Sequence, residues 1–207
     1  MELYIILVIL GVILIVHYTT FLLTSDSTYV ISKLDNQKYL LRSGKHKSSR
    51  HKDASVDALA EINIRITKLI EHLKRNYLGD VNKAYFIKKL DENYNNSVIS
   101  EAAIDNRYTT YTVDKQNIHI CLRTRDDQEN LYDMDILMYI VLHELAHLCN
   151  YNRKGVPVIG HGVEFREIFK FLTKEAIKVG VYTYVDFESN PREYCGIIVN
   201  SNILREP

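Results

Sequence analysis

Apolar residues along the chain follow several distinct patterns. From Leu3 to Val16 the sequence reads LYIILVILGVILIV without a charge, and Phe21, Leu22 and Leu23 extend the stretch beyond His17–Thr20. Residues 3–23 as a helix would span roughly 31 Å, close to the hydrocarbon thickness of a bilayer. This predicts a transmembrane anchor over residues 1–24. A second pattern begins after residue 54. Leu59, Ile62, Ile66, Leu69, Ile70, Leu73 and Tyr77 recur at helical spacing, and Gly79 stops the run. Tyr108–Val113 and Ile118–Leu122 read as two strands around a turn at Asp114–Asn117, with Ile118, Ile120 and Leu122 on one face. Asp91–Ser97 and Arg123–Asn130 read as polar loops. From about Asp133 to Asn150 the chain is apolar nearly all round, which predicts a buried helix. Val163–Val179 resumes one-sided helical spacing through Phe165, Ile168, Phe169, Leu172 and Ala176, closed by Gly180. Ile197–Val199 is a short apolar segment near the end. Helices and a few strands in this order define an α+β chain.

Composition narrows the classes. The 207 residues are 46% hydrophobic and 25% charged, ordinary globular values that exclude a disordered or fibrous protein. Lys plus Arg (26) equals Asp plus Glu (26), so no global field draws nucleic acid. A cleavable leader is not favoured, because only Glu2 precedes the apolar run and no small-x-small site follows it. Lys33, Lys38, Arg42, Lys45, Lys47, Arg50 and Lys52 follow the run against only Asp26 and Asp35. By the positive-inside rule this places the remainder on the cytosolic side of a single-pass membrane protein. Residues 25–53 then form a basic linker, read first as solvated, second as an anionic-lipid contact and third as a nucleic-acid contact. Cys121, Cys149 and Cys195 are too few and scattered for a disulfide framework, and they read as core thiols on a reducing side.

The chemistry lies within the buried helix, at His143-Glu144-Leu145-Ala146-His147. Residues four apart share a helix face, so both imidazoles can reach one metal ion. Glu144 lies about 100° round the helix from His143, near enough to meet a metal-bound water without ligating the metal. Catalytic zinc takes three protein ligands and keeps one open position. The third candidate is His161, flanked by Gly160 and Gly162 where the next helix begins. A metal-free polar cluster of these residues would have to bury several ionisable groups with other partners.

HELAH followed by GHGVEF resembles the WLM and SprT-like zinc metallopeptidases, and Asn190-Pro191-Arg192-Glu193-Tyr194-Cys195-Gly196 is similar to the C-terminal segment of WLM-like proteins of large DNA viruses. The resemblance covers roughly residues 54–200, with its firm motifs in 143–165. After the transmembrane helix that hydropathy predicts, it implies a single zincin-like (minigluzincin or SprT-type) domain with a small β-sheet over 54–207. It also implies Zn2+ held by His143, His147 and His161, with Glu144 as general base and acid. Tyr194 is the candidate oxyanion stabiliser, with packing as its competing role. Ile118–Leu122 is the strand expected to pair with an extended substrate.

The expected partners are therefore the lipid bilayer, through residues 3–23, and a protein or peptide substrate. The leading functional expectation is a membrane-anchored zinc metallopeptidase. The alternative is a structural membrane-associated virion, capsid or assembly protein built on the same fold, partnered by other virion proteins. A DNA-dependent protease ranks below both, and nucleic acid is not an expected partner.

Overall fold

The computed structural model describes residues 7–16, 27–43, 49–95, 97–103 and 109–206. After a helical run over 7–16, the elements are β1 (Ser27–Ile31), β2 (Lys38–Arg42), α1 (Ser49–Tyr77), α2 (Ala84–Asn93), β3 (Ile99–Glu101), β4 (Tyr111–Val113), β5 (Asn117–Ile120), α3 (Met134–Cys149), α4 (Val163–Val179), β6 (Arg192–Tyr194) and β7 (Ile197–Val199). Three small sheets replace the one expected. β1 and β2 form an antiparallel hairpin, as do β6 and β7, and between them lies a three-stranded sheet of order β3-β5-β4. In that sheet β3 runs parallel to β5 and β4 antiparallel to it, so β5 is central and β4 is an edge.

Helix α3 owes its position to its composition. Ile136, Leu137, Met138, Val141, Leu142, Leu145, Ala146 and Leu148 leave no polar stripe, and all are buried. The helix is enclosed by α2, by α4 and by the β4–β5 strands. α1 presents Leu59, Ile62, Ile66, Leu69 and Leu73 from one face to α2, α4 and the β2–β3 region, all inaccessible to solvent. α4 ends as its sequence dictates: Gly180 takes φ 73°, and its N–H returns to the Ala176 and Ile177 carbonyls.

The membrane expectation is corrected. Among the described residues no helix is long and apolar enough to cross a bilayer. Of the expected span, residues 3–6 and 17–23 lie outside the described residues. The single-pass placement with its domain on the cytosolic side falls with the span.

The linker expectation also changes. Residues 27–42 form the β1–β2 hairpin, whose Tyr39 and Leu41 are buried against the core. Residues 44–48, in the centre of the basic run, lie outside the described set. Helix α2 and strands β3 and β6 are elements that periodicity did not single out, and Asp91–Asn93 belong to the end of α2 rather than to a loop. The cysteine reading is corrected too. Cys121 and Cys195 are joined across 74 residues of sequence, and only Cys149 is free. They meet because the chain leaving β5 and the β6–β7 turn converge, which no spacing rule reveals. Closing a loop of that length constrains the unfolded chain by about 4 kcal/mol in the chain-entropy account. A reducing compartment can no longer be inferred from free thiols.

A buried ionic cluster fastens the first hairpin to the central sheet. Arg123 grips Glu101 of β3 with two bonds, Nε to Oε1 at 2.7 Å and Nη2 to Oε2 at 2.9 Å. The Arg42 N–H donates to Glu101 Oε2 at 2.9 Å, and Arg123 Nη2 also donates to the Arg42 carbonyl at 2.8 Å. Glu129 completes the set, 3.2 Å from Arg42 Nη2 and 3.5 Å from Arg123 Nη1. Two carboxylates therefore match two guanidiniums in a region without water. Removing one partner strands a buried charge, at a cost of about 3–5 kcal/mol. Glu101→Ala is expected to lower unfolding free energy by about that amount in urea denaturation, and a loss below about 0.5 kcal/mol would show the cluster to be energetically idle.

Candidate metal centre

Burial of α3 on three sides leaves one opening, and the histidines face it. His143 and His147, four residues apart, point the same way and are half-buried, whereas Glu144, one position round, is only 6% exposed. After α3 the chain turns back through a loop bridged at Tyr151 and Pro157 and reaches His161 just before α4. Gly160 makes that return possible with φ +86°, a left-handed conformation that side chains disfavour. Gly162 is different: its conformation is ordinary and a Cβ there would meet nothing within 4 Å. Close backbone approach therefore explains neither glycine.

The three Nε2 atoms converge. His147 lies 3.2 Å from His143 and 2.9 Å from His161, and His161 lies 3.1 Å from His143. Nitrogens on a tetrahedral zinc at about 2.0–2.1 Å stand roughly 3.3 Å apart, so the donor set fits that ion. Phe165, in the first turn of α4, supports all three rings, with centroids 4.9, 4.3 and 4.7 Å from those of His143, His147 and His161.

Electrostatics suit the same use. Burial, reinforced by His147 and His161, pushes His143 down to about 3. Burial, with His161 and Lys115, pushes His147 down to about 4. Both imidazoles are thus neutral near pH 7, the form that binds metal. Glu144 is pushed up to about 7 by burial, partly opposed by Thr112, whose Oγ1 donates to Oε2 at 2.6 Å.

A cleft of about 720 Å³ opens over these groups, walled by residues 110–112 and 114–115 on one side and Pro157–Gly160 on the other. Its strand wall is β4, so the expectation that Ile118–Leu122 would receive a substrate is corrected. β5 has both flanks filled, and β4 is an outer strand of the described sheet. The unforeseen β3 is what closes the far side of β5.

Tyr194 is fully buried, its hydroxyl hydrogen-bonded to Thr110 Oγ1 and its ring against Tyr132. It borders a smaller cavity shared with Glu144 and His143. A phenol so enclosed suits packing better than an oxyanion in the cleft. Cys149 is fully buried, its thiol pushed up to about 12 by burial, and Cys195 is in the disulfide, so neither supplies a fourth ligand. Thr112, Phe165 and Lys115 are the site residues that motif reading did not assign. Thr112 was findable in principle, since alternation in β4 places it on the same face as Thr110.

Fold and site thus define an α+β protein with a three-histidine candidate metal centre beside a buried glutamate. The chain is 34% identical over 186 residues to an uncharacterized protein of Acanthamoeba polyphaga mimivirus, covering 87% of this chain and 86% of the relative. It belongs to the same family as that protein. Shorter matches link it to uncharacterized proteins of Invertebrate iridescent virus 6 (30% over 105 residues, 49% of this chain and 53% of the relative) and Invertebrate iridescent virus 3 (34% over 122 residues, 56% and 70%). No protein-family model matches the chain, and no solved structure matches it. The expected zincin-like assignment is therefore corrected to the architecture observed: α+β, with three separate small sheets.

The histidine shifts fix the sign of a pH effect. Both folded-state values lie below the ordinary 6.5, so the unfolded chain binds the extra protons. In chelator-treated protein the histidine contribution to stability should be fully present above about pH 6.5 and be lost progressively as the pH falls toward 4, while Glu144, raised to about 7, contributes in the opposite sense between about pH 4.5 and 7. His143→Gln with His147→Gln should flatten that slope in thermal unfolding. An unchanged slope would place its origin elsewhere.

Proposed function

We propose that this protein is a zinc-dependent metallopeptidase that hydrolyses peptide bonds. The observation carrying the proposal is the convergence of three imidazole Nε2 atoms within 3.2 Å of one another, beside a buried glutamate, on the floor of an open cleft. The resemblance of HELAH and GHGVEF to WLM and SprT-like peptidases supports the same reading.

His143, His147 and His161 would hold the ion, which would supply a Lewis acid and a water of near-neutral pKa. Glu144 accepts the proton of the attacking water and later delivers it to the departing amine. Thr112 occupies Oε2, so the exchange takes place at Oε1. β4, an outer strand of the described sheet that lines the cleft, pairs with an extended chain by backbone hydrogen bonds, which orient the scissile bond with little demand on side-chain identity. That mode favours unfolded or loop segments of proteins as substrates.

Glu144→Gln tests the chemistry while preserving shape. The variant should fold and take up zinc as wild type does, and its cleavage of an unfolded protein such as reduced casein should fall by at least about 10²-fold. Undiminished cleavage would remove Glu144 from the mechanism. Wild-type protein that binds zinc yet cleaves no unfolded substrate would instead leave a structural role for the site.

A further inference from the structure

The β4–β5 turn places a lysine where its backbone favours glycine or asparagine. Asp114 and Lys115 have φ of 51° and 53°, and the Gln116 N–H closes the turn on the Val113 carbonyl at 3.0 Å. Left-handed geometry at both central positions disfavours a long side chain. The Lys115 side chain does not run out to water. Its ammonium lies beneath the cleft and donates to three carbonyls: His147 at 2.5 Å, Asn150 at 3.0 Å and Val158 at 3.2 Å. An ammonium has three donors, and all three are used. The Tyr151 ring closes the fourth side, its centroid 5.1 Å away.

These carbonyls belong to segments that must be brought together. His147 and Asn150 lie at the end of α3, where carbonyls lack helical partners and the helix dipole is negative. Val158 lies in the return loop, three residues before His161, and its own N–H donates to the Asn150 carbonyl at 2.9 Å. One cation thus fastens the loop that carries the third histidine to the helix end that carries the second. We infer that Lys115 is the positioning residue of the three-histidine centre: its ammonium sets the approach of His161 to His147. The inference rests on the metal-binding reading above. Position 115 keeps a lysine in an unfavourable backbone conformation because glycine or asparagine there could not make the clasp.

The test is a thermodynamic cycle read in zinc affinity, by competition with a chromophoric chelator, on wild type, Lys115→Met, His161→Ala and the double variant. Lys115→Met should weaken zinc binding by about 10–100-fold, as loss of an outer-sphere partner does. It should also alter the visible spectrum of the cobalt-substituted protein. In the His161→Ala background the same change should have no further effect, because the clasp acts through His161. Lys115→Cys alkylated with 2-bromoethylamine rebuilds an ammonium at nearly the same reach and should restore affinity. The native cysteines are protected from that reagent, Cys149 by burial and the others by their bond. Should Lys115→Met fail to fold, Lys115→Arg keeps the charge in a flat fork that cannot reach all three carbonyls, and it should lose part of the affinity. Unchanged zinc affinity in a folded Lys115 variant, or a full loss that persists in the His161→Ala background, overturns the inference. Wild-type zinc affinity in His161→Ala alone would instead overturn the metal-binding reading on which it rests.

Discussion

Three imidazole nitrogens held 2.9–3.2 Å apart impose the constraint to which the surrounding structure answers. A neutral imidazole Nε2 either donates one in-plane hydrogen bond or accepts one, so three of them facing a common point cannot satisfy one another in pairs. A cation at that point satisfies all three. Holding the nitrogens there requires rigid supports, and the fold supplies two. Helix α3 is apolar on every side but one, which fixes the direction of His143 and His147. Phe165, carried on α4, backs all three rings at once. The return loop is the adjustable part, and it is the part held by the clasp from the β4–β5 turn.

The same turn ties recognition to chemistry. β4 lines the cleft, and its Thr112 holds Glu144, so a chain pairing with that strand would lie beside the carboxyl proposed to move protons. Thr110, which lines the cleft with Thr112, takes the hydroxyl of Tyr194 and receives the Cys121 N–H, while Cys121 is bonded to Cys195 in the β6–β7 turn. The C-terminal hairpin is thereby linked to the residue that leads into β4. On the other flank, the Arg42–Glu101–Arg123–Glu129 cluster anchors the first hairpin to β3. Each support reaches the histidines through the three-stranded sheet or through α3.

Long periodic elements were legible in the sequence. α1, α3 and α4 declared themselves through apolar spacing, and the stop at Gly180 through its left-handed preference. The metal-ligand candidates were legible as well, because helical periodicity alone brings His143 and His147 to one face, and His161 opens the next helix. What escaped depends on distant partners. β3 has three residues, and its strand character comes from parallel pairing with β5 rather than from its own pattern. The Cys121–Cys195 bond and the Arg123–Glu101 grip each join residues far apart in sequence, so composition misread the cysteines as free thiols and gave no sign of the grip made from the Arg123–Asn130 loop. The basic stretch after residue 25 concealed a hairpin, because Tyr39 and Leu41 are the only apolar residues described in it that are fully buried. At the N-terminus hydropathy pointed to a span, whereas among the described residues no helix is long and apolar enough to cross a membrane.

The most direct measurement is zinc content together with X-ray absorption at the zinc edge on purified protein. The account predicts about one zinc per chain with three imidazole nitrogens at about 2.0–2.1 Å and one further light-atom ligand. A folded protein that takes up no metal, or a zinc shell containing sulfur from Cys149, would contradict it.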